Sequence, residues 1–304
     1  MQYVPSDLSG QKKALLIGIN YFGTDGELNG CINDVHNMAE FLIERYGFSA
    51  DQMVVLTDDQ TNEKGQPTRE NILTAMRWLV GGAKPGDDLF LSYSGHGGSQ
   101  EDEDGDEDDG NDETMCPVDY QENGQIVDDE IHSICVRPLP AGCRLTALFD
   151  CCHSGSIMDL PYLYSPKGVI SEPNFMKNAG EDLIKLGQQL KKGNTEGADT
   201  QKLLAAISQA NGQGDAVKAS KTSAADVICF TGCKDDQTSA DATICDQAQG
   251  ALTYAFKNAL LKEPNQSFLE LLNNLRREMK EGEFTQIPQM SACHPINMNV
   301  AFTM

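Results

Sequence analysis

At 304 residues with 39% hydrophobic side chains, the chain has enough apolar material for a full core, which excludes wholesale disorder. A net charge of -23 disfavours nucleic acid and anionic membranes as partners and favours cations, whether metal ions or basic peptides. No apolar run approaches the ~20 residues needed to span a bilayer, and the opening MQYVPSDLSGQKK lacks the apolar stretch of a secretory signal. The ten cysteines (31, 116, 135, 143, 151, 152, 229, 233, 245 and 293) show no zinc-ligand spacing. A chain of this size needs no disulfide staples, so they are expected to be reduced and mostly buried thiols in the cytoplasm, with the nucleus as a second compartment.

Residues 1–11 precede the first strand and are expected to be the remnant of a longer N-terminal extension. KKALLIGI (12–19) has the pattern of a buried strand and is followed by a helix over 33–46. MVVL (53–56) is a second strand, and TRENILTAMRWLV (68–80) a helix with Thr68 as its cap. DDLFLSYSG (87–95) and RLTALFD (144–150) are further strands, the second preceded by a helix opening at VDDEIHSIC (127–135). Segment 163–224 is rich in Gly, Asn, Gln, Ser and Lys, with one weak helical stretch near 178–192, and is expected to be an exposed mobile loop. Beyond it the pattern predicts a strand at 226–232, helices near 250–262 and 267–280, and a last strand at 296–302.

Strands alternating with helices predict an α/β domain, its sheet largely parallel and flanked by helices on both faces. In such sheets function gathers at the carboxyl ends of the strands. That rule selects the residues after 87–93 and after 144–149. The first place holds His96, in YSGHGG, where flanking glycines let the chain turn sharply and leave the imidazole uncovered. The second holds FDCCHSGS (149–156). A thiol and an imidazole brought together there make the activated nucleophile of a cysteine peptidase, the imidazole raising thiol reactivity and then protonating the leaving amine. His96 precedes Cys152 by 56 residues, close to the ≈ 50 of caspases. Backbone N–H groups of Gly97 and Cys152 are the candidate oxyanion donors. His153 competes as the base, but a residue adjacent to the nucleophile points the other way along an extended chain.

KKALLIGINYF, LNGCINDV, DDLFLSYSGHGG, PVDY…IVDDEIH and ALFDCCHSGSIMDLPY resemble the type I metacaspases, most of all their fungal members. The match runs from residue 12 to about 175 and resumes over 226–304. The caspase pentapeptide around the cysteine is absent and DxCHSG stands in its place, which assigns the nucleophile to Cys152 rather than Cys151. The resemblance implies a caspase-like core sheet of six strands in one peptidase domain over 12–304. It divides that domain into a large-subunit-like part (12–162), a linker (163–224) and a small-subunit-like part (225–304). It further implies a monomer. A legumain-like or separase-like peptidase on the same fold is disfavoured by the acidic pocket and by the DDEIH and MDLPY segments. A calcium- or aggregate-binding protein that acts largely without proteolysis is the alternative from another class.

Asp150 lies two residues before Cys152, on the same face of the strand end, where its carboxylate would attract a cationic substrate. The resemblance adds Cys31, Asp34 and Ser94 to that pocket and implies that Asp34 and Asp150 clasp the Arg or Lys before the scissile bond. The acidic run EDEDGDEDDGNDE (101–113) fails the EF-hand pattern, since no glycine falls at the sixth position of any register, and most of it reads as a solvated charge run. The resemblance instead implies a Ca²⁺ site made by Asp112, Asp128, Asp129 and Asp159; as residues, Asp128 and Asp129 could equally cap the helix they open. Expected partners are proteins and peptides containing basic residues, with misfolded or aggregated protein as a further class. Lys177, Lys185, Lys191, Lys192, Lys202, Lys218 and Lys221 offer basic sites for self-cleavage in the 163–224 segment.

Overall fold

The computed structural model describes residues 4–101, 111–151, 156–164, 170–171, 221–232, 250–284 and 286–304. Five strands form the parallel heart of the sheet, in the order β2 (Met53–Thr57), β1 (Lys12–Gly18), β3 (Asp88–Ser94), β7 (Arg144–Asp150) and β10 (Asp226–Thr231). Their nearly continuous apolar runs are what a parallel strand needs when both faces are covered. Antiparallel β11 (Gln289–Ala292) follows β10, and β8 (Tyr162–Tyr164) and β9 (Ile170–Ser171) extend that edge. The expected six-strand core is thus present as β2-β1-β3-β7-β10-β11, lengthened by two short strands.

One face is covered by α2 (Arg69–Val80) and, after the single turn of α3 (Tyr120–Asn123), α4 (Asp128–Cys135); the buried residues of α2 and α4 join Leu15, Leu91 and Leu145 in one core. The other carries α1 (Cys31–Tyr46), α5 (Ala251–Lys262) and α6 (Phe268–Glu281), packed on Leu16, Phe90 and Phe230 in a second core. Thr68 caps α2 as expected, its Oγ1 accepting from the Asn71 amide at 3.3 Å. Ser267 forms a capping box with Glu270 at the start of α6.

Basic residues tie down the amino-terminal ends of the strands. Arg144 is bonded to its register partner Asp226, with Nε 2.7 Å from Oδ2, and Lys12 reaches Asp88 at 2.5 Å. The carboxyl ends keep their acids for the site.

Three features depart from expectation. β4 (Gly97–Glu101), β5 (Asn111–Met115) and β6 (Ile126–Val127) form a second, three-stranded sheet directly after His96. The end of the acidic run is therefore built into a hairpin, with Asp112 and Glu113 only 6% and 5% exposed; residues 102–110 lie outside the described residues. The last strand is 289–292, not 296–302. Asn297 instead makes a turn, its Oδ1 accepting from the Asn299 amide and its carbonyl from the Val300 amide, and Ala301 forms only an isolated bridge to Ser267. The helix predicted from residue 33 starts at Cys31, because Gly30 at φ 116° supplies the turn.

Candidate active site

Parallel register fixes the site's frame. Gly18, Ser94 and Asp150 are aligned across β1, β3 and β7, so the carboxyl ends of three adjacent strands stop at one level. His96 follows two residues beyond Ser94, and the buried Cys151 one beyond Asp150. Cys152 itself lies outside the described residues, as do Lys177, Lys185, Lys191, Lys192, Lys202 and Lys218.

His96 is held through its ring and its backbone. Its Nε2 lies 2.7 Å from the carbonyl oxygen of Gly26, which can only accept. The ε nitrogen is therefore the donor, and in the neutral ring Nδ1 is the nitrogen with the lone pair. That is the tautomer a general base acting through Nδ1 would need, with the Gly26 carbonyl placed to orient the ring. Gly26 is small for a reason: a Cβ there would stand 3.2 Å from Nε2. The Cys116 amide donates to the His96 carbonyl at 3.2 Å, flanking the Gly97–Met115 pair. By the alternation of antiparallel ladders the Gly97 amide then points away from β5, which suits an oxyanion donor.

The expected pocket residues are assembled. Cys31 and Asp34 lie in the first turn of α1, and Ser94 Oγ donates to Asp34 Oδ2 at 2.9 Å. Asp150, 2% exposed, accepts from the Thr253 amide at 2.7 Å through Oδ2. Gly250 begins α5 with no capping side chain, so Asp150 caps that helix from another strand, where the helix dipole favours an anion. Gly250 has φ +84°, and a Cβ on it would meet Asp34 Oδ2 at 2.7 Å. Burial, and then the charge of Asp150, push the Asp34 carboxyl up to about 7, with the Ser94 bond opposing. Burial likewise pushes the Cys31 thiol up to about 12, so it lines the pocket as a neutral group. Burial and mutual repulsion make these two carboxylates costly to ionise together.

The other acids surround α4. Asp128 Oδ1 accepts from the Asp129 amide at 2.9 Å and Oδ2 from the Glu113 amide at 3.2 Å, so Asp128 does stabilise its helix start. Ser156 Oγ bonds Glu113, the Asp159 amide donates to the Ser156 carbonyl at 2.5 Å, and Asp159 is ion-paired with the Lys221 ammonium. The Lys221 carbonyl lies 3.1 Å from His132 Nε2, back on α4, which closes a ring of contacts. Asp112, Asp128 and Asp159 are all buried. Yet among the described residues no three His, Cys, Asp or Glu side chains are gathered as a metal site gathers them. Lys221 was expected as an exposed cut site; it is 9% exposed and paired, and so is not presented to a protease in this arrangement.

Sequence reasoning missed the Gly26 carbonyl, the Thr253 amide and the Lys221 ammonium. Two of these are backbone atoms, on which residue type has no bearing. The seven described cysteines, Cys31, Cys116, Cys135, Cys143, Cys151, Cys229 and Cys293, are all buried, as expected. No described helix is long and apolar enough to cross a membrane.

The family model "Metacaspase, peptidase C14 domain" matches residues 12–161. Metacaspase-1A of Neurospora crassa is 54% identical over 302 residues, covering 98% of this chain and 66% of that protein. Metacaspase-1 of Meyerozyma guilliermondii is 53% identical over 309 residues, covering 100% of this chain and 75% of its own. Metacaspase-1 of Cryptococcus neoformans is 52% identical over 301 residues, with 65% of its length spanned. Among solved structures, protein GSU0716 from Geobacter sulfurreducens superposes with a TM-score of 0.59 at 25% identity, covering 97% of this chain and 98% of that one. The fold is the caspase-like α/β fold.

Proposed function

Because this chain belongs to the metacaspase family of cysteine peptidases, we propose that it is a calcium-activated endopeptidase that cleaves after Arg or Lys. The observation that carries the specificity is the pairing of Asp34 with Asp150 beside His96. One carboxylate accepts from Ser94 and the other from the start of α5, and burial and then the charge of Asp150 raise the Asp34 carboxyl. A cleavage site ending in a cation satisfies both acids, whereas one ending in Asp adds a third negative charge to a buried pair.

The way His96 is held supports the following chemistry. Cys152 is the nucleophile, and its thiol proton passes to Nδ1 of His96 while Gly26 holds the ring through Nε2. The thiolate attacks the scissile carbonyl, and the Gly97 and Cys152 amides receive the oxyanion. His96 then protonates the leaving amine. Water hydrolyses the acyl-enzyme with the same imidazole acting as base.

Calcium is part of the proposal. Hard oxygen donors from Asp112, Asp128, Asp129 and Asp159 match its chemistry, and the buried Lys221 ammonium on Asp159 is a stand-in cation that marks the region's need for positive charge. The carboxylates are not drawn together here, so binding requires them to close up and Lys221 to give way. A bound ion would supply the charge that holds the β5 strand, the start of α4 and the Asp159 loop together. Self-processing within 163–224, action as a monomer and residence in a reducing compartment (cytoplasm or nucleus) complete the proposal; the buried thiols support the last.

The test is hydrolysis of fluorogenic Arg, Lys and Asp peptides by wild type and Cys152→Ala, with Ca²⁺ and with chelator. Calcium-dependent cleavage after Arg or Lys, absent in the variant, is expected. Cleavage after Asp would overturn the pocket argument. No cleavage under any condition would favour a calcium- or aggregate-binding protein acting largely without proteolysis.

A further inference from the structure

Tyr21 ends the apolar run that begins in β1, and its side chain is 2% exposed. It has φ 52°, in the left-handed region that residues other than glycine seldom occupy. The fold tolerates that conformation, and three sets of contacts around Tyr21 converge on His96.

The first set is on the His96 backbone. The His96 amide donates to Tyr21 Oη at 3.0 Å, and Tyr21 Oη itself donates to the Cys116 carbonyl at 2.6 Å. Tyr93, whose Oη lies 3.1 Å away, donates to the His96 carbonyl at 2.6 Å. Two buried hydroxyls thus hold both polar groups of the His96 peptide backbone. Gly95 leaves room for them, since a Cβ there would fall 2.7 Å from Tyr93 Oη and 3.0 Å from Tyr21 Oη. The second contact is ring on ring: the Tyr21 phenol lies 4.7 Å from the imidazole, tilted by 42°. The third runs through the loop. Thr24 donates to the Tyr21 carbonyl through its amide at 3.2 Å and its Oγ1 at 2.8 Å. The Gly26 amide donates to Thr24 Oγ1 at 3.2 Å, and the Gly26 carbonyl faces His96 Nε2 at 2.7 Å.

We propose that Tyr21 is the positioning residue of His96, fixing its backbone by the hydroxyl, its ring plane by the phenol face, and its Nε2 partner by the turn its carbonyl anchors. The proposal rests on His96 being the base. Tyr21 acts through His96, by fixing the imidazole against it, and displacement of a reacting group by about 1 Å can cost on the order of 10²-fold in rate.

The test uses the full chain with Tyr21→Phe, Tyr21→Leu and Tyr93→Phe, and rates on an Arg peptide counted per titrated active site. Tyr21→Phe keeps the ring and loses the hydroxyl; kcat should fall about 10-fold with KM within about twofold. Tyr21→Leu loses both and should fall about 100-fold, with the acid limb of the pH–rate profile displaced. Tyr93→Phe leaves the ring contact intact and should resemble Tyr21→Phe. In Cys152→Ala protein, the His96 ring nitrogens should report a mixture of tautomers by NMR once Tyr21 is leucine. Unchanged kcat per site and an unchanged pH profile in both Tyr21 variants would overturn the proposal. Should the leucine variant not fold, Tyr21→Phe and the NMR signature of the Tyr21→Phe, Cys152→Ala protein decide alone. His96→Ala separates the two layers: activity in that variant refutes the base assignment, whereas its loss beside wild-type rates in the Tyr21 variants refutes only the positioning role.

Discussion

Asp34 should make the protein less stable at neutral pH than an uncharged residue would, because its carboxylate is buried beside that of Asp150. Its carboxyl is raised from 3.8 to about 7, by burial first and Asp150 second. The folded state therefore prefers the proton. The contribution is fully present below pH 3.8 and is lost as the pH rises towards 7. At about 1.4 kcal/mol per pH unit the loss reaches a ceiling of about 4 kcal/mol. The carboxylate is partly exposed, and screening reduces the working figure to about 2 kcal/mol. Asp34→Asn keeps the shape and has no proton to lose. In a Cys152→Ala background it should raise the urea-derived stability at pH 8 by about 2 kcal/mol, with Tm up by about 3 °C, and by nearly nothing at pH 4. The same change should abolish hydrolysis of Arg and Lys peptides in the otherwise native enzyme, whose KM should itself rise as the pH falls below 7. Equal stability changes at pH 4 and pH 8 would refute the electrostatic account. A destabilisation at pH 8 would mean that the Ser94 bond outweighs the repulsion.

Gly26→Ala should lower kcat by on the order of 10-fold with little change in Tm, since the new Cβ meets His96 Nε2 at 3.2 Å in an exposed loop; steady-state kinetics beside calorimetry checks both. Gly250→Ala faces a φ of +84° and an Asp34 oxygen at 2.7 Å, and should raise KM for Arg peptides more than it lowers kcat; the reverse pattern would remove Asp34 from the pocket. Lys221→Met, made with Cys152→Ala, should tighten Ca²⁺ or Tb³⁺ binding several-fold by calorimetry, because the ammonium no longer competes for Asp159. Without the ion, the same variant should be less stable by about 3–5 kcal/mol, the cost of stranding a buried charge. Unchanged affinity would separate Lys221 from the cation site.

Much of this protein is determined by short-range pattern. The apolar runs of β1, β3, β7 and β10 are read directly because a parallel strand buried on both faces can hold little else, and Thr68 announces α2 because a cap is a local bond. His96 and Asp150 were legible for the same reason, standing where buried strands end and glycines or small residues begin. What the tertiary structure decided lies between distant segments. Asp112 and Glu113 are buried although they close a run of acids, because β5 pairs with both β4 and β6. β11 was missed since its burial is nearly continuous and leaves no alternation to detect, whereas the alternating 296–302 is bent by Asn297. The partner of His96 is a carbonyl 70 residues earlier, and that of Asp150 an amide 103 residues later. Every residue has those backbone groups, so residue type alone cannot announce them; only the folded chain brings a given one to a given side chain.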